Sequence, residues 1–298
     1  MRIFVAGNNG QVAQSLKEAA EKAGIELITA GRPDFDLTDE DRMRAAITAY
    51  KPTAIINAAA YTAVDAAEDD EAGAAAINTD GAGALAAIAA ELDVSFLHLS
   101  TDYVFGGDKD GAYVETDEVG PTGAYGRSKL AGEIAVMATN PSAMIFRTAW
   151  VYSPFGNNFC KTMLKLAQNR DTLGIVADQY GNPTYAPDIA AALLTIIKKT
   201  EASDTASDFA GIYHMASTGC TSWHGFAEKI FAEGGSHGHK VPAANAIPTA
   251  DYPTPAARPA NSQLDCSKLE ETFGIKLPHW QESTARCVKR LLEGGLLG

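Results

Sequence analysis

Tyr125 and Lys129 stand four residues apart in the string Tyr-Gly-Arg-Ser-Lys, within a stretch, residues 125–138, that is predicted to be helical. Side chains at this spacing project from the same face of a helix. An ammonium beside a phenol favours the phenolate, so we expect the pKa of Tyr125 to lie below its usual value of about 10. Such a phenol can give a proton to a carbonyl oxygen, or take one from an alcohol, while a hydride moves.

Thr101 follows a predicted strand, residues 94–100, in the string Ser100-Thr101-Asp102. The carboxyl end of a parallel strand is where such sheets bind ligands, so the Thr101 hydroxyl is expected to bond the substrate oxygen and share its proton with Tyr125. Lys129 would also hold the nicotinamide ribose. A chance Tyr-x-x-x-Lys pair on a surface helix is the alternative, but the upstream hydroxyl favours a catalytic cluster of Thr101, Tyr125 and Lys129.

A glycine-rich loop directly follows the first predicted strand, residues 2–6, and opens a helix. Gly7 permits the turn, Gly10 lets a pyrophosphate approach the backbone, and Ala13 still allows close packing of helix on strand. The free N–H groups of the helix N-terminus favour an anion there. A simple tight turn is the alternative, but the position after the first strand favours a dinucleotide site.

Arg32 follows the second predicted strand, residues 25–29, where an NAD-selective site usually has an acidic residue. Arg32 would suit the 2′-phosphate of NADPH, whereas a solvated loop arginine would leave NADH equally acceptable. The cofactor is therefore predicted to be NADPH or NADH. Further contacts with the cofactor are expected from Asp36 and Leu37, and from the segment that contains Ala60, Tyr61 and Thr62.

Strand and helix signals alternate through the first half of the chain. This alternation predicts an α/β fold with a Rossmann-type doubly wound parallel sheet. We expect residues 1–150 to form a dinucleotide-binding domain, with the helix near 187–199 added to it. Residues 151–298 are expected to form a smaller, mixed α/β substrate domain.

The net charge of −13 argues against nucleic acid and anionic membranes as partners, because both select for basic surfaces. No uninterrupted apolar stretch is long enough to cross a bilayer, and the N-terminus does not resemble a signal peptide. The four widely spaced cysteines suggest reduced thiols and a cytoplasmic protein. His237-Gly238-His239 lies in a Gly/Ser-rich loop without a nearby carboxylate or Cys, and we predict no metal site.

Longer strings carry a family resemblance over residues 1 to about 290. The chain resembles the extended short-chain dehydrogenase/reductase superfamily, and its finer strings resemble the dTDP-4-dehydrorhamnose reductase family within it. Those strings include Asn57-Ala58-Ala59-Ala60-Tyr61-Thr62-Ala63-Val64-Asp65, Ser100-Thr101-Asp102-Tyr103-Val104-Phe105, Asp178-Gln179-Tyr180-Gly181-Asn182-Pro183-Thr184, and Arg258-Pro259-Ala260-Asn261-Ser262. The resemblance implies reduction of the C4 ketone of dTDP-6-deoxy-L-lyxo-4-hexulose to dTDP-L-rhamnose.

The same resemblance implies roles for individual residues. Tyr125 becomes the acid, Lys129 its partner and Thr101 the tuning hydroxyl, while the sugar is contacted by Thr101, Asp102 and Trp150. The implied cofactor contacts are Gly10, Gln11, Val12, Asp36, Leu37, Ala60, Tyr61 and Thr62. Some members of the family have a magnesium site of acidic side chains at a dimer interface. Its first position falls near Ser15 in this sequence, so we predict neither the metal nor that interface here. Whether the chain forms a homodimer stays open.

Arg258 lies in a stiff, proline-containing segment and could bind a diphosphate through bidentate hydrogen bonds from its guanidinium. The alternative is an arginine that bonds loop carbonyls.

A dehydratase is disfavoured because Asp102 is followed by Tyr103 rather than by a Glu. Two alternatives stay open. One is a reductase or an epimerase acting on another nucleotide-linked 4-ketosugar, and the other is a non-catalytic NADP-binding regulatory subunit.

Overall fold

A parallel sheet with helices on both faces organises the computed structural model, which describes residues 1–203 and 206–297. The strands are, in chain order, β1 (Arg2–Ala6), β2 (Glu26–Ala30), β3 (Ala54–Asn57), β4 (Ser95–Thr101), β5 (Met144–Thr148), β6 (Val151–Tyr152), β7 (Thr172–Val176), β8 (Tyr180–Gly181), β9 (Thr184–Tyr185), β10 (Gly211–His214), β11 (Thr221–Ser222) and β12 (Ala243–Ile247). Within the described ranges, six strands form the main sheet in the order β10-β5-β4-β3-β1-β2. The others pair as β11-β8, β12-β7 and β6-β9.

Ten α-helices accompany these strands in the described part of the chain. They are α1 (Gln11–Ala23), α2 (Glu40–Tyr50), α3 (Glu71–Ala75), α4 (Ala82–Glu91), α5 (Ala124–Thr139), α6 (Phe159–Asn169), α7 (Ala186–Glu201), α8 (Trp223–Ser236), α9 (Ser267–Phe273) and α10 (Trp280–Glu293). α1 and α7 pack together on one face of the sheet, and α2, α4 and α5 cover the other. The predicted Rossmann-type α/β fold is confirmed.

The central strands are apolar on both faces because both faces are covered by helices. Ile55 of β3 packs into the core under α2 and α4, whereas its neighbour Ile56 packs under α1 and α7. Continuous apolar runs of this kind are typical of parallel sheets. The sheet can therefore hold the carboxyl ends of β1, β3, β4 and β5 rigidly side by side.

α5 buries a polar face, which glycine makes possible. Gly126, Ser128, Lys129, Gly132 and Glu133 are all buried in this helix. A Cβ at Gly126 would collide with the backbone of the short turn after β4, and one at Gly132 would collide with the backbone of the helix beside it. The close approach brings the buried side chains of α5 onto β4 and β5.

A π-helical segment, Ala76–Gly81, joins α3 to α4. A π-helical turn is closed by an i→i+5 hydrogen bond and so contains one residue more than an α-helical turn. Such turns are frequent at functional sites. Here the segment buries Asn78, whose amide oxygen accepts from the backbone N–H of Tyr61 at 2.8 Å and whose nitrogen donates to the Tyr61 carbonyl at 3.1 Å. The helix is thereby attached to the loop that follows β3.

The chain returns to the main sheet after residue 150. β10 pairs in parallel with β5, with Gly211 opposite Met144 and His214 opposite Arg147. Within the described part of the chain after residue 150, α7 and α9 also pack on the main sheet, whereas α6, α8 and α10 form a separate core that includes Phe226 and Trp280. None of the described helices has the length and apolar character needed to cross a membrane.

Candidate active site

Two cavities open along the carboxyl edge of the sheet and share part of their walls. The larger, of about 530 Å³, is lined by Thr101, Asp102, Tyr125, Lys129 and Trp150 among others. The smaller, of about 340 Å³, is lined by residues that include Gly7, Arg32, Asp36 and Leu37. The shared wall consists of Asn9, Gly10, Ala58, Ala59, Ala60 and Thr62. Together the cavities form one groove running from Arg32 to Tyr125.

Tyr125 is a partly buried phenol at one end of this groove. Burial raises its pKa to about 12, and the nearby Asp102 carboxylate acts in the same direction, while a hydrogen bond with Thr101 opposes them. The expected decrease in this pKa is therefore wrong, because removing a phenolate from water costs more than one hydroxyl contact offsets. The result is a phenol that keeps its proton at neutral pH, which is the form that a proton donor needs.

Lys129 lies one helical turn after Tyr125 and is only 2% exposed. Its ammonium donates to the carbonyl oxygen of Leu99 at 2.8 Å, and its Nζ lies 3.3 Å from Nε2 of His98. Burial lowers the pKa of Lys129 to about 8, although the Glu133 carboxylate works against that decrease. A lysine tuned in this way can change its proton state near neutral pH.

Thr101 and Asp102 form a bonded pair at the end of β4. The Thr101 hydroxyl donates to Oδ1 of Asp102 at 2.9 Å and accepts from the backbone N–H of Tyr103 at 3.3 Å. Burial raises the pKa of Asp102 to about 6, while hydrogen bonds from Ser262 and Thr101 lower it. Asp102 therefore offers a buried carboxylate that a substrate hydroxyl can use as an acceptor.

The glycine-rich loop has the shape that a dinucleotide pyrophosphate requires. Gly7 has φ of +115°, and a Cβ there would lie 3.2 Å from the backbone of Ala58. At Gly10 a Cβ would meet only the Ala58 carbonyl oxygen, at 3.9 Å, so the space above the loop is open. Gly10 also caps α1 without a side-chain hydrogen bond, which leaves N–H groups at that helix end for an anion. These residues fit a nicotinamide dinucleotide.

The far end of the groove combines a cation with a carboxylate. Asp36 accepts from the backbone N–H of Thr38 at 3.0 Å and from its hydroxyl at 2.9 Å. These bonds, and more weakly Arg32, lower the pKa of Asp36. Arg32 and Leu37 line the same cavity, where the adenosine end of a dinucleotide would lie.

Gln11 lines the groove and contacts the C-terminal part of the chain through its side chain. Its amide nitrogen donates to the carbonyl oxygen of Val151 at 3.2 Å. Its amide oxygen accepts from Ser153 at 2.8 Å and from Asn158 at 3.0 Å. With Val12 it lines the larger cavity, so the loop and the C-terminal part meet there.

Tyr61 and Arg258 do not line either cavity as the structure describes them. Tyr61 is held by Asn78 through its backbone, and its phenol lies near Asp70, which together with burial raises its pKa. Arg258 donates from Nη2 to Oδ2 of Asp65 at 2.9 Å, while its buried Nη1 has no hydrogen-bond partner among the residues that the structure describes. Sequence spacing alone could not show that Asp65 would pair with this arginine.

Trp150 lines the larger cavity in contact with Trp223, which the sequence analysis missed. The two rings stack with centroids 3.5 Å apart and planes 4° apart. Trp150 has φ of +46°, an unusual conformation for a bulky residue. Trp223 is the first residue of α8 and lies far from Trp150 in the sequence, and no sequence motif connects the two residues. Together they provide a flat apolar wall.

A buried ion pair anchors α5 to β5. Arg147 of β5 donates from Nε and Nη2 to the two oxygens of Glu133 at 2.9 and 2.7 Å. The Ser100 hydroxyl donates to the same carboxylate at 2.5 Å. The network therefore fixes α5 relative to β4 and β5, one turn beyond Lys129.

No cluster of three or more His, Cys, Asp or Glu side chains suitable for a metal occurs in residues 1–203 and 206–297. Ser15 is buried and donates its hydroxyl to the Gln11 carbonyl at 2.7 Å. Asp188 accepts from both Ser283 and Arg286 at 2.6 Å. The expectation that no metal is bound stays a prediction.

Comparison with known proteins decides the family. Residues 1–293 match the family model described as RmlD substrate binding domain. The chain is 49% identical to a dTDP-4-dehydrorhamnose reductase of Sinorhizobium fredii, over 99% of both chains. It is 38% identical to the Escherichia coli K12 reductase of the same name, over 98% of both. This chain belongs to the dTDP-4-dehydrorhamnose reductase family.

Solved structures of this family share the whole architecture. A dTDP-4-dehydrorhamnose reductase of Clostridium acetobutylicum superposes with a TM-score of 0.90 at 36% identity, covering 98% of this chain and 99% of that one. The Bacillus anthracis reductase, solved in complex with NADP, superposes with a TM-score of 0.89 at 33% identity, covering 97% and 99%. The resemblance stated from the sequence is confirmed.

Proposed function

We propose that the protein reduces the C4 ketone of dTDP-6-deoxy-L-lyxo-4-hexulose, that is dTDP-4-dehydrorhamnose, to dTDP-L-rhamnose. It is an NAD(P)-dependent oxidoreductase of its family. The observation that carries the proposal is the shared groove, in which the protonated Tyr125, the buried Lys129 and Thr101 lie at one end and the glycine loop at the middle. Proton donor and cofactor loop are thus joined in one binding site.

NADPH or NADH, when bound, supplies the hydride for C4. We assign its pyrophosphate to the N-terminus of α1, and its adenosine end to the smaller cavity. The proposed cofactor contacts are Gly7, Gly10, Gln11, Val12, Arg32, Asp36, Leu37, Ala60, Tyr61, Thr62, Tyr125 and Lys129. Tyr61 is the weakest of these, because its side chain lies near Asp70 rather than in the groove.

Tyr125 is the proposed general acid. Its raised pKa keeps the proton on the phenol until an oxyanion forms on the substrate. The phenol then protonates that oxygen. The Thr101 hydroxyl has a single hydrogen, which bonds Asp102 in the structure and is proposed to turn to the substrate oxygen when the sugar binds. Lys129 in its ammonium form stabilises the phenolate left on Tyr125.

Substrate recognition is assigned to Thr101, Asp102, Trp150 and Arg258. Asp102 accepts from a sugar hydroxyl, and the Trp150–Trp223 stack provides an apolar surface suited to a 6-deoxy sugar. The free Nη1 of Arg258 supports a role in binding the diphosphate, although the Asp65 pair occupies its other arm. Because the chain carries a net charge of −13, a local cation is needed to attract an anionic nucleotide sugar.

We further propose two domains with different ligands. Residues 1–150 together with α7 form a dinucleotide-binding domain, and the rest of residues 151–298 forms a substrate domain. The packing of α7 on α1 supports the first assignment, and the pairing of β10 with β5 suggests adding β10 to the same domain.

The protein is proposed to act in the cytoplasm on a free nucleotide sugar and to bind neither nucleic acid nor a membrane. Light scattering of the purified chain tests the homodimer.

The deciding experiment follows nicotinamide absorbance when the purified chain meets dTDP-4-dehydrorhamnose, with NADPH and NADH in parallel. Cofactor consumption matched by dTDP-L-rhamnose is the expected result. Consumption without that product would point to another 4-ketosugar. No turnover in a protein that binds NADPH would favour the regulatory subunit, and a tightly retained NAD that returns its hydride would favour the epimerase.

The same assay tests Arg32 as the determinant of cofactor preference. Arg32→Ala is expected to raise the KM for NADPH at least tenfold while leaving the KM for NADH nearly unchanged, because the loss of one phosphate contact costs about 1.5–3 kcal/mol. Arg44→Ala is the matched control, since Arg44 pairs with Glu40 and Glu91 on the surface of α2. Equal effects on both cofactors would remove Arg32 from the phosphate site.

A further inference from the structure

His98 is a fully buried histidine that the mechanism above does not use. It lies on β4 between Asn57 of β3 and Lys129 of α5. Its Nδ1 is 3.1 Å from Nδ2 of Asn57, and its Nε2 is 3.3 Å from Nζ of Lys129. The three side chains therefore form a continuous polar chain that ends at the catalytic lysine.

The orientation of Asn57 decides where the imidazole carries its hydrogen. Oδ1 of Asn57 accepts from the backbone N–H of Ala59 at 3.2 Å, so the amide nitrogen must face His98. An amide nitrogen only donates, which makes Nδ1 of His98 the acceptor. A neutral imidazole has a single N–H, and it must then be on Nε2.

That hydrogen points at the nitrogen of Lys129. An ammonium has no lone pair and cannot accept it, whereas the neutral amine can. Lys129 keeps its bond to the Leu99 carbonyl in either form, because the amine still has two hydrogens. The contact with His98 is therefore a hydrogen bond only when Lys129 has lost its proton.

We propose that His98 is a positioning residue for Lys129: held by Asn57, it presents an N–H to the lysine nitrogen and so favours the amine over the ammonium. The proposal rests on the proposed function in one respect, the role of Lys129 beside Tyr125. Burial lowers the pKa of Lys129 and of His98 alike, which agrees with a neutral imidazole opposite a readily deprotonated lysine. An ammonium of low pKa is also the better proton donor towards a phenolate.

Other titratable groups surround the pair and define the background of any pH effect. On the protein side, Glu133 of α5 favours the ammonium but is itself paired with Arg147 of β5. On the cavity side, Tyr125 and Asp102 line the same cavity as Lys129. Of these, Asp102 titrates at a lower pH than Lys129 and Tyr125 at a higher one.

The opposite tautomer makes the opposite prediction. With the hydrogen on Nδ1, Nε2 would accept from the Lys129 ammonium and stabilise it. Asn57 would then have to turn its amide, which would place its NH2 group against the N–H of Ala59. That arrangement loses one buried hydrogen bond and sets two donors against each other.

The first test is the tautomer itself, measured by long-range ¹H–¹⁵N correlation NMR on protein labelled at histidine. The signals of His98 are assigned by their loss in His98→Leu. Hydrogen on Nε2 and a bare Nδ1 are expected between pH 6 and 8. Hydrogen on Nδ1 would overturn the proposal, and the measurement needs no enzymatic activity, so it is independent of whether the proposed reaction is right.

The second test is the alkaline limb of the kcat/KM profile in His98→Leu. Losing the donor that favours the amine is expected to raise the apparent pKa of that limb by about 0.5 to 1 unit. A decrease would mean that His98 accepts from the ammonium, and an unchanged limb would mean a structural role only; either result overturns the proposal. His224→Leu is the control, since its Nε2 lies 3.2 Å from the Ala244 carbonyl, outside this cluster.

Discussion

The side-chain oxygen of Gln11 accepts a hydrogen bond from Nδ2 of Asn158 at 3.0 Å, which links the first residue of α1 to the N-cap of α6. α1 begins at the cofactor loop, while α6 belongs to the core of the C-terminal part. The proposed cofactor site and the proposed substrate part are therefore joined by a direct polar contact. Gln11 makes two further side-chain contacts across the same boundary, to Val151 and Ser153.

Gln11→Ala removes this link and leaves the backbone of the loop in place. We expect kcat/KM for the sugar nucleotide to fall at least tenfold, since the substitution removes three side-chain hydrogen bonds, of about 1 kcal/mol each, that align the two parts. NADPH affinity, measured by fluorescence titration, should change less. Gln14→Ala is the control, because the Gln14 side chain donates to the Asn9 carbonyl within the loop region rather than to the C-terminal part. Equal effects of the two substitutions would contradict a linking role.

Tyr125→Phe removes the proposed acid with little change in volume. We expect kcat to fall by about 10²–10⁴-fold, the usual contribution of general acid catalysis. NADPH binding should persist, because the glycine loop is unaffected. Stopped-flow measurement of hydride transfer checks the chemical step directly, and near wild-type turnover in this variant would reject Tyr125 as the proton donor.

The pH profile of kcat/KM follows from two buried groups. The pKa of Asp102 is raised to about 6, so its carboxylate is lost as the pH falls through that value. The pKa of Lys129 is lowered to about 8, so its ammonium is lost as the pH rises through that value. Activity is therefore expected to be highest between these two values. Asp102→Asn should abolish the acid limb and keep the alkaline one; an acid limb that persists would assign it to another group.

Arg258→Ala tests the proposed diphosphate contact. We expect the KM for the nucleotide sugar to rise at least tenfold with a smaller change in kcat, because one charge-assisted contact contributes about 1.5–3 kcal/mol. Asp65→Asn separates the two roles of the arginine, since it weakens the ion pair at 2.9 Å but keeps the guanidinium. If both variants lower thermal stability and leave the KM unchanged, Arg258 only braces the loop.

Glu133→Gln breaks the buried pair with Arg147, whose two side chains are each 3% exposed. Leaving the guanidinium buried without its countercharge is expected to lower the free energy of unfolding by about 3–5 kcal/mol. Urea denaturation followed by circular dichroism measures the change. Glu71→Gln is the control, because its pair with Arg127 is exposed and should matter little. A loss no larger than that of the control would mean the pair is not structurally important.

Local sequence patterns were enough to predict the parallel sheet, the glycine-rich loop after β1 and the position of Tyr125 and Lys129 one turn apart on α5. In each case the deciding residues are neighbours in the chain, so helix and strand periodicity alone decides which way they face. The parallel fold could be inferred because alternating strands and helices allow few other topologies. The return of β10 to the sheet was not predicted, since a strand of four residues far from its partner has no local signal.

Only the tertiary structure decided the proton states and the distant partners of the site. The pKa of Tyr125 rises instead of falling, because the cost of burying a phenolate depends on every element packed around it. Trp223 stacks on Trp150, and Asn57 and Lys129 enclose His98, through packing that spacing along the chain does not encode. The residue types were present in the sequence, but contact and desolvation arise only when separate segments come together.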